Sequence, residues 1–148
     1  MADSKPAALV TGSATGIGRA EAIALAEAGY DVAVNYSRSS GAAEETAAAC
    51  EAAGAKTVVI GCDVADDTQV KAMVAEATAA FGRLDTLCNN AGITSTAPFK
   101  DLDAIYLDEW DRVLAVNVRG IVQVTRACAP ALREAKGESG HTAGIVSL

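Results

Sequence analysis

Hydrophobic and polar positions divide the chain into two alternating kinds of segment. Short apolar runs are typical of buried strands, and each is followed by a longer stretch in which apolar residues recur at helical spacing. The predicted strands are 7–10, 31–36, 56–62, 84–88 and 143–148. The predicted helices are 17–28, 42–53, 68–81 and 108–132. Glycine directly follows the first three helices, at positions 29, 54 and 82, as expected at helix ends.

This alternation predicts an α/β fold. Five strands separated by four helices are typical of a Rossmann-type, doubly wound parallel sheet, for which we expect the strand order 3-2-1-4-5. No obvious linker divides residues 1–148, so we expect one domain. Asp66, three residues before Gln69, predicts a capping box at the start of the third helix.

Composition and charge narrow the possible partners. The chain is 51% hydrophobic but only 4% aromatic, so its core must consist mainly of aliphatic side chains. Its formal net charge of −7 argues against a nucleic-acid or anionic-membrane surface. No apolar run approaches the roughly 18 residues of a membrane span, and the first residues do not resemble a signal peptide. We therefore expect a cytoplasmic protein that binds neither nucleic acid nor membrane.

The cysteines and the single histidine do not indicate a metal site. Cys50, Cys62, Cys88 and Cys128 lie in separate segments without CxxC spacing, so we expect reduced core residues instead of disulfides or metal ligands. His141 is expected in a solvated loop. Because the chain has no GxSxG motif, nucleophilic hydrolysis is not indicated.

A glycine-rich loop follows the first strand. In "VTGSATGIGRA", Gly12, Gly16 and Gly18 have the spacing GxxxGxG and open the first helix. Glycine permits positive φ and close backbone approach, and a helix N-terminus offers unpaired N–H groups and partial positive charge to a phosphate. The motif therefore indicates a dinucleotide site, although a simple tight turn between strand and helix would also explain an isolated match.

The end of the second strand bears on the choice between NADP and NAD. NAD-binding folds usually place an acidic residue there, whereas NADP-binding folds place an arginine near the extra phosphate. The segment "VAVNYSRSS" contains no acid, so Arg38 with the hydroxyls of Tyr36 and Ser37 predicts a 2′-phosphate pocket. NADP is favoured and NAD remains possible. The alternative is that Arg38 is a solvated loop charge.

Further motifs carry a family resemblance. "LCNNAGI" at the end of the fourth strand, together with "TGSATGIG", resembles the short-chain dehydrogenase/reductase superfamily, and in particular members similar to 3-oxoacyl-carrier-protein reductase and glucose dehydrogenase. Asp63 in "CDV" is similar to the family's adenine-binding Asp. Trp110, Asn117 and Gly120 in "EWDRVLAVNVRG" are similar to its signature helix.

The motifs and the resemblance together predict a set of dinucleotide-binding residues. They are Gly12, Ser13, Thr15, Gly16, Ile17, Gly18, Tyr36, Ser37, Arg38, Asp63, Val64, Asn90, Ala91 and Gly92. The loop 12–18 would hold the pyrophosphate, Asp63 and Val64 the adenine, and the segment 90–92 the nicotinamide. Structural alternatives remain open: Asn90 could tie strand four to strand one, and Asp63 could be a turn or capping acid.

Asn117 is the predicted catalytic residue. It lies in a helical stripe whose other members are Trp110, Leu114, Ile121, Thr125, Cys128 and Leu132. The resemblance implies that Asn117 supports a proton relay to an active-site lysine, whereas the alternative is a locally satisfied structural amide. Trp110 is expected to be a core anchor.

The family's other catalytic groups are a serine just beyond the fifth strand and a tyrosine followed four positions later by lysine. None of Tyr30, Tyr36 and Tyr106 has that lysine, and Ser147 falls where the family pattern has an asparagine before the catalytic serine. We therefore expect residues 1–148 to be the N-terminal portion of a reductase, without its C-terminal strands and inactive alone.

The predicted activity of the parent protein is NADP(H)-dependent hydride transfer between a carbonyl and an alcohol of a small-molecule substrate. The resemblance also implies a homo-oligomer that pairs through the helix 108–132. Two alternatives remain: a non-catalytic dinucleotide-binding or interaction module, and a flavodoxin-like nucleotide-binding regulatory domain.

Overall fold

The computed structural model describes residues 5–98, 100–138 and 143–148. Its strands are β1 (Ala7–Val10), β2 (Asp31–Tyr36), β3 (Thr57–Gly61), β4 (Thr86–Asn89) and β5 (Gly144–Ser147). Its α-helices are α1 (Gly16–Glu27), α2 (Ser40–Ala52), α3 (Asp67–Phe81), α4 (Leu107–Leu114) and α5 (Ile121–Glu138). A short 3₁₀ turn spans Leu102–Ala104, and a π-helical segment spans Ala115–Gly120 between α4 and α5.

The five strands form one parallel sheet in the order β3-β2-β1-β4-β5. Val10 at the end of β1 lies opposite Val34 of β2 on one side and Cys88 of β4 on the other. Strands β2 and β3 are added on one side of β1, and β4 and β5 are added on its other side. The direction in which strands are added therefore reverses between β1 and β4. The predicted Rossmann-type topology is confirmed.

Two hydrophobic cores lie on the two faces of the sheet. Leu9 and Leu87 pack with Met73 of α3 and with residues of α5. Val10 and Val34 pack on the opposite face with alanines of α1 and α2. Successive strand residues point to opposite faces, and helices cover both, which explains why β1 reads as a continuous apolar run.

Small and free-thiol residues complete these cores. All four cysteines are buried and unpaired, as the sequence predicts. The outer strand β5 is less covered, because Ile145 and Val146 are about half exposed. None of the helices in the described parts of the chain is long and apolar enough to cross a bilayer.

The long helix differs from its prediction. It begins at Leu107, continues to Glu138 and contains the π-helical segment, whereas the sequence predicts one regular helix over 108–132. Trp110 is 55% exposed and Leu114 is 43% exposed, so the prediction of Trp110 as a core anchor is wrong. A π-helical turn contains more residues than an α-helical turn, so side chains before and after it do not continue on one face.

The π segment brings the helix close to the end of β3. A Cβ added to Gly120 would lie 2.8 Å from Cγ2 of Val64, so any larger residue would push the helix outward. The Gln123 side chain donates to the carbonyl of Val64 at 2.8 Å. Beyond the segment, Cys128 and Leu132 are buried as predicted.

The predicted N-cap of α3 is confirmed, with one difference. The carboxylate of Asp66 accepts the N–H groups of Thr68 and Gln69 at 2.9 and 3.1 Å. In a regular capping box the Gln69 side chain would return to the N–H of Asp66. It accepts the N–H of Asp63 instead, at 3.0 Å, because the Asp66 N–H already donates to the Asp63 carbonyl.

Charged side chains stabilise the sheet at the end where its strands begin. The Lys5 ammonium donates to the carbonyl of Gly54 at 2.7 Å, and the Lys56 ammonium donates to the carbonyl of Ala80 at 2.6 Å. Both carbonyls lie at or just beyond helix C-termini, where cations are favoured. The carboxylate of Asp85 accepts both the N–H of Ala7 and the buried guanidinium of Arg83.

Candidate functional site

A cleft of about 300 Å³ lies at the carboxyl ends of β1 and β4. This is the point where the strand order reverses, which is where open α/β sheets bind their ligands. Its lining consists of Gly12, Thr15, Ile17, Asn35, Ser37, Cys62, Asp63, Val64, Asn90, Ala91, Gly92, Ile93, Arg112 and Val116. Nine of these fourteen residues belong to the predicted set.

The three loop glycines have different reasons to be glycine. A Cβ on Gly18 would lie 2.4 Å from Nδ2 of Asn90, so Gly18 permits the helix to pack on the end of β4. Gly12 has φ +64° and also lies against this segment, with a virtual Cβ 2.9 Å from Cα of Ala91. Gly16 has φ +60°, but nothing lies within 4 Å of its virtual Cβ. The open space in front of Gly16 is where a ligand can approach the backbone.

The N-terminus of α1 faces this space without a capping side chain. Thr15 is the N-cap residue, but its hydroxyl makes no capping hydrogen bond within the described residues, and the first turn there contains no acid. The side chains of Thr15 and Ile17 are exposed to the cleft. The N–H groups and the positive end of the helix dipole are therefore available to an anion.

Ser13 is the predicted loop residue whose side chain the structure turns away from the cleft. It is fully buried, and its hydroxyl donates to the carbonyl of Val10 at 2.8 Å. The same oxygen accepts the N–H of Asn35 at 3.0 Å. Ser13 therefore holds the loop to the sheet instead of presenting its hydroxyl to a ligand.

Asn35 is a functional-site residue that the sequence did not single out. It is 1% exposed, and its Oδ1 accepts the N–H of Gly12 at 3.0 Å. Its Nδ2 donates to the carbonyls of Tyr36, Ile60 and Cys62 at 3.2, 3.1 and 3.2 Å. The signal in the sequence was an amide directly after the apolar run Val32 to Val34, where a buried amide must find partners. Asn35 fixes the glycine loop to β2 and β3.

The predicted Asn90 motif closes the other side of the loop. Asn90 Nδ2 donates to the carbonyls of Thr11 and Gly12 at 2.9 and 3.0 Å. The Thr11 hydroxyl accepts the N–H groups of Asn90 and Ala91 at 3.1 and 3.0 Å. These are the contacts that the structural alternative for Asn90 predicts, and they also leave Asn90, Ala91 and Gly92 on the cleft wall. Thr11 was missed because its partners lie about 80 residues away.

Tyr36, Ser37 and Arg38 lie at the end of β2. Ser37 is exposed and lines the cleft, and Arg38 is exposed immediately beyond it. The Tyr36 ring instead packs over Gly61 of β3: a Cβ added to Gly61 would lie only 3.1 Å from the Tyr36 hydroxyl. Of the predicted 2′-phosphate pocket, Ser37 and Arg38 are therefore free to face a ligand, while the Tyr36 ring rests on the sheet.

Asp63 also lines the cleft. Its Oδ1 accepts the N–H of Ala65 at 3.0 Å, and its Oδ2 accepts Nη2 of Arg112 at 2.7 Å. Burial alone would raise the pKa of Asp63, but these two hydrogen bonds and the Arg112 charge outweigh it and hold the pKa below its usual value. Asp63 is thus a turn acid, as one alternative predicts, and a charged group on the cleft wall.

Asn117, the predicted catalytic residue, lies in the π segment beside the cleft and makes a reciprocal contact with the backbone of Ile93. Its Oδ1 accepts the Ile93 N–H at 2.9 Å, and its Nδ2 donates to the Ile93 carbonyl at 2.8 Å. Both halves of its amide are therefore satisfied locally. Through Ile93, Asn117 fixes the segment that follows Gly92.

The site offers no thiol nucleophile at neutral pH. Burial raises the pKa of Cys62 and of Cys88 to about 11, and that of Cys128 to about 12. Among residues 5–98, 100–138 and 143–148, no cluster of three or more His, Cys, Asp or Glu side chains could hold a metal ion. His141, predicted to be a solvated loop residue, lies outside the described residues.

Curated relatives of the chain are reductases and dehydrogenases. It is 40% identical over 140 residues to 3-oxoacyl-acyl-carrier-protein reductase FabG of Staphylococcus aureus, a match that covers 94% of this chain and 56% of the relative. It is 38% identical over 140 residues to L-rhamnose 1-dehydrogenase (NAD(P)(+)) of a Sphingomonas strain, covering 95% of this chain and 52% of the relative. The chain thus spans about half the length of the curated relatives it matches.

Solved structures agree with this. A short chain dehydrogenase from Burkholderia cenocepacia in complex with NADP superposes with a TM-score of 0.81 at 42% identity, covering 86% of this chain and 51% of the other. A short-chain dehydrogenase/reductase from Serratia marcescens superposes with a TM-score of 0.79 at 37% identity, covering 86% and 51%. The family model for short chain dehydrogenases matches residues 6–148. With the glycine loop, the Asn90 motif and the cleft between them, this chain belongs to the short-chain dehydrogenase family.

Proposed function

We propose that this chain forms the dinucleotide-binding part of an NADP(H)-dependent oxidoreductase that interconverts a carbonyl and an alcohol. The observation that carries the proposal is the cleft lined by the ends of β1 and β4 and by Thr15 and Ile17, which lie at the uncapped N-terminus of α1. A diphosphate fits such a space, because backbone N–H groups and the helix dipole replace its water.

The residues of the cleft suit the parts of a dinucleotide in a definite order. The turn Gly16 to Gly18 would hold the pyrophosphate, and the exposed Ser37 and Arg38 would hold a 2′-phosphate. Asp63 would accept the amino group of adenine. The backbone of the segment 90–92 would lie against the nicotinamide, which supplies or accepts a hydride when bound.

NADP is preferred over NAD for this chain. At the end of β2, residues 35–40 include no acid that would repel a 2′-phosphate, and the charged group there is the exposed Arg38. Among the relatives, the Burkholderia structure is described in complex with NADP, and the Sphingomonas enzyme is named for NAD(P)(+). These names support the choice of a phosphorylated dinucleotide.

For Asn117 we propose an indirect part in proton transfer. Because its amide is engaged with Ile93, it would act by fixing the chain next to the nicotinamide site and would keep the π segment in register. The free cysteines support a cytoplasmic location, since reduced thiols persist in that compartment.

A homo-oligomer is proposed through exposed apolar side chains of the long helix. These side chains are Leu107, Trp110, Leu114, Val118 and Val122. A second copy would cover them, because apolar surfaces on two copies complement each other without charge pairing. Val118→Asp should lower the mass measured by sedimentation, whereas Leu148→Asp, another exposed apolar site, should leave it unchanged.

Titration of the chain with NADPH and with NADH, followed by nucleotide fluorescence, tests the cofactor assignment. We expect tighter binding of NADPH and a reversed preference in Arg38→Asp, because a carboxylate repels the 2′-phosphate. Arg133→Asp is the matched control, since it makes the same charge change at an exposed position on α5. Tighter binding of NADH by the unmodified chain would overturn the NADP assignment, and binding of flavin mononucleotide alone would favour a flavodoxin-like function.

A further inference from the structure

Arg112 connects the long helix to the predicted adenine end of the cleft. It lies on α4, nearly fifty residues after Asp63, and its Nη2 is 2.7 Å from the Asp63 Oδ2. Both side chains are only partly exposed, at 40% and 33%, and both line the cleft. The family resemblance gave no role to Arg112, and the sequence offered no reason to pair it with Asp63.

The Asp63 carboxylate is held at two points. Ala65 N–H binds Oδ1 and Arg112 binds Oδ2, so the plane of the carboxylate cannot turn without breaking one contact. An ionised carboxylate has about four lone-pair sites, and two remain available here. The backbone behind it is fixed as well, because the Asp63 N–H donates to Gln69.

The other charged groups near Asp63 are either negative or engaged elsewhere. The carboxylate of Asp66 at the start of α3 is also negative and therefore disfavours the ionised form of Asp63. On the long helix, Arg126 pairs with Asp67 at 2.9 Å, and Arg119 approaches the carbonyl of Ala65 at 3.5 Å. Of the charged groups that influence Asp63, Arg112 is the cation.

We propose that Arg112 is a positioning residue for adenine recognition, which orients the Asp63 carboxylate so that its free lone pairs accept the amino group of the purine. This inference rests on the proposed dinucleotide function and deepens it, since it assigns the purine preference to an ion pair between α4 and the end of β3. A carboxylate held in this way favours a purine that donates at this edge over one that presents a carbonyl.

Three ligands test the proposal: NADPH, its hypoxanthine analogue, in which a carbonyl replaces the purine amino group, and reduced nicotinamide mononucleotide, which lacks the purine. In the unmodified chain we expect roughly tenfold tighter binding of NADPH than of the hypoxanthine analogue. Arg112→Met should weaken NADPH binding roughly fivefold to tenfold and should reduce that preference to about twofold or less. Binding of the mononucleotide should not change.

Two further variants separate positioning from a structural effect. Arg112→Lys keeps the charge and should restore part of the purine preference, although it cannot reproduce the planar guanidinium. Arg126→Met removes the comparable ion pair with Asp67 away from the cleft and should leave the binding of all three ligands unchanged. Thermal unfolding of each variant shows that it is folded.

The outcomes are distinct. If Arg112→Met weakens NADPH and its hypoxanthine analogue by the same factor, or weakens neither, the positioning role is wrong while the proposed function stands. Failure of the unmodified chain to bind NADPH would instead remove the proposed function, and this inference with it. Loss of the purine preference alone, with mononucleotide binding unchanged, would support the role of Arg112.

Discussion

Replacing Asn35 by alanine should destabilise the fold and loosen the glycine loop together. The Gly12 N–H, which donates to the buried Asn35 at 3.0 Å, would lose its acceptor. A buried unsatisfied donor costs about 1–3 kcal/mol. The carbonyls of Ile60 and Cys62 would each lose a donor, whereas that of Tyr36 keeps the Cys62 N–H at 2.8 Å. We expect a total loss of about 2–4 kcal/mol in the free energy of unfolding.

Urea unfolding followed by far-ultraviolet circular dichroism measures this loss as a lower midpoint with an unchanged slope. Asn89→Ala is the matched control. Asn89 is similarly buried, but its amide binds the hydroxyls of Thr125 and Ser147, which can rotate to other partners. A smaller loss is therefore expected. If Asn35→Ala destabilises the fold no more than Asn89→Ala does, or by less than about 1 kcal/mol, then Asn35 does not stabilise the fold by satisfying buried backbone groups.

Three other predictions concern the loop, the thiols and the helix cap. Gly16→Ala and Gly54→Ala each place a Cβ in open space at positive φ, so each variant should lose about 1–2 kcal/mol in the free energy of unfolding. Only Gly16→Ala should also weaken NADPH binding, which calorimetry measures. Equal affinities in the two variants would contradict a phosphate position at Gly16. The four buried thiols should react with an aromatic disulfide at least about a hundredfold more slowly in native buffer than in urea, and fast labelling of even one would show an opening of the core. Hydrogen bonds from the N–H and side chain of Gln69 lower the pKa of Asp66 in the folded chain. The ionised Asp66 carboxylate therefore stabilises the fold at any pH above its pKa in the unfolded chain, which is about 3.9. This stabilisation is lost as the pH falls through the lower pKa of the folded chain. Asp66→Asn should therefore show a smaller drop in melting temperature on acidification than the unmodified chain, and an identical drop would refute the role of the ionised cap.

The parts of the fold that depend on local pattern could be predicted from the sequence. The strand 31–36 has the predicted bounds, and the glycine loop and the Asn90 segment meet at the cleft as the parallel topology requires. Binding of dinucleotide by these residues stays a prediction. The partners of Asn35 and Arg112 could not be predicted, because they depend on which strands and helices become neighbours after a separation of 23 to 49 residues.

The error at Trp110 has a different origin. Its spacing with Leu114 and Cys128 fits one stripe only if every turn of the helix is regular. The π segment adds a wider turn at the point where Gly120 meets Val64, and nothing in the hydrophobic pattern marks that turn. A pattern with a period of about 3.6 residues predicts the existence of a long helix better than it predicts which face is buried.

The two ends of the strands have different roles: the carboxyl ends line the cleft, and the amino ends are held by ionic and hydrogen-bond contacts. Lys5, Lys56 and the Arg83–Asp85 pair join strands and helix ends at the edge remote from the cleft. Changes to these contacts are therefore expected to alter heat resistance without altering the cleft. A protein engineer can strengthen the end remote from the cleft by redesigning its ionic contacts without changing the proposed nucleotide site.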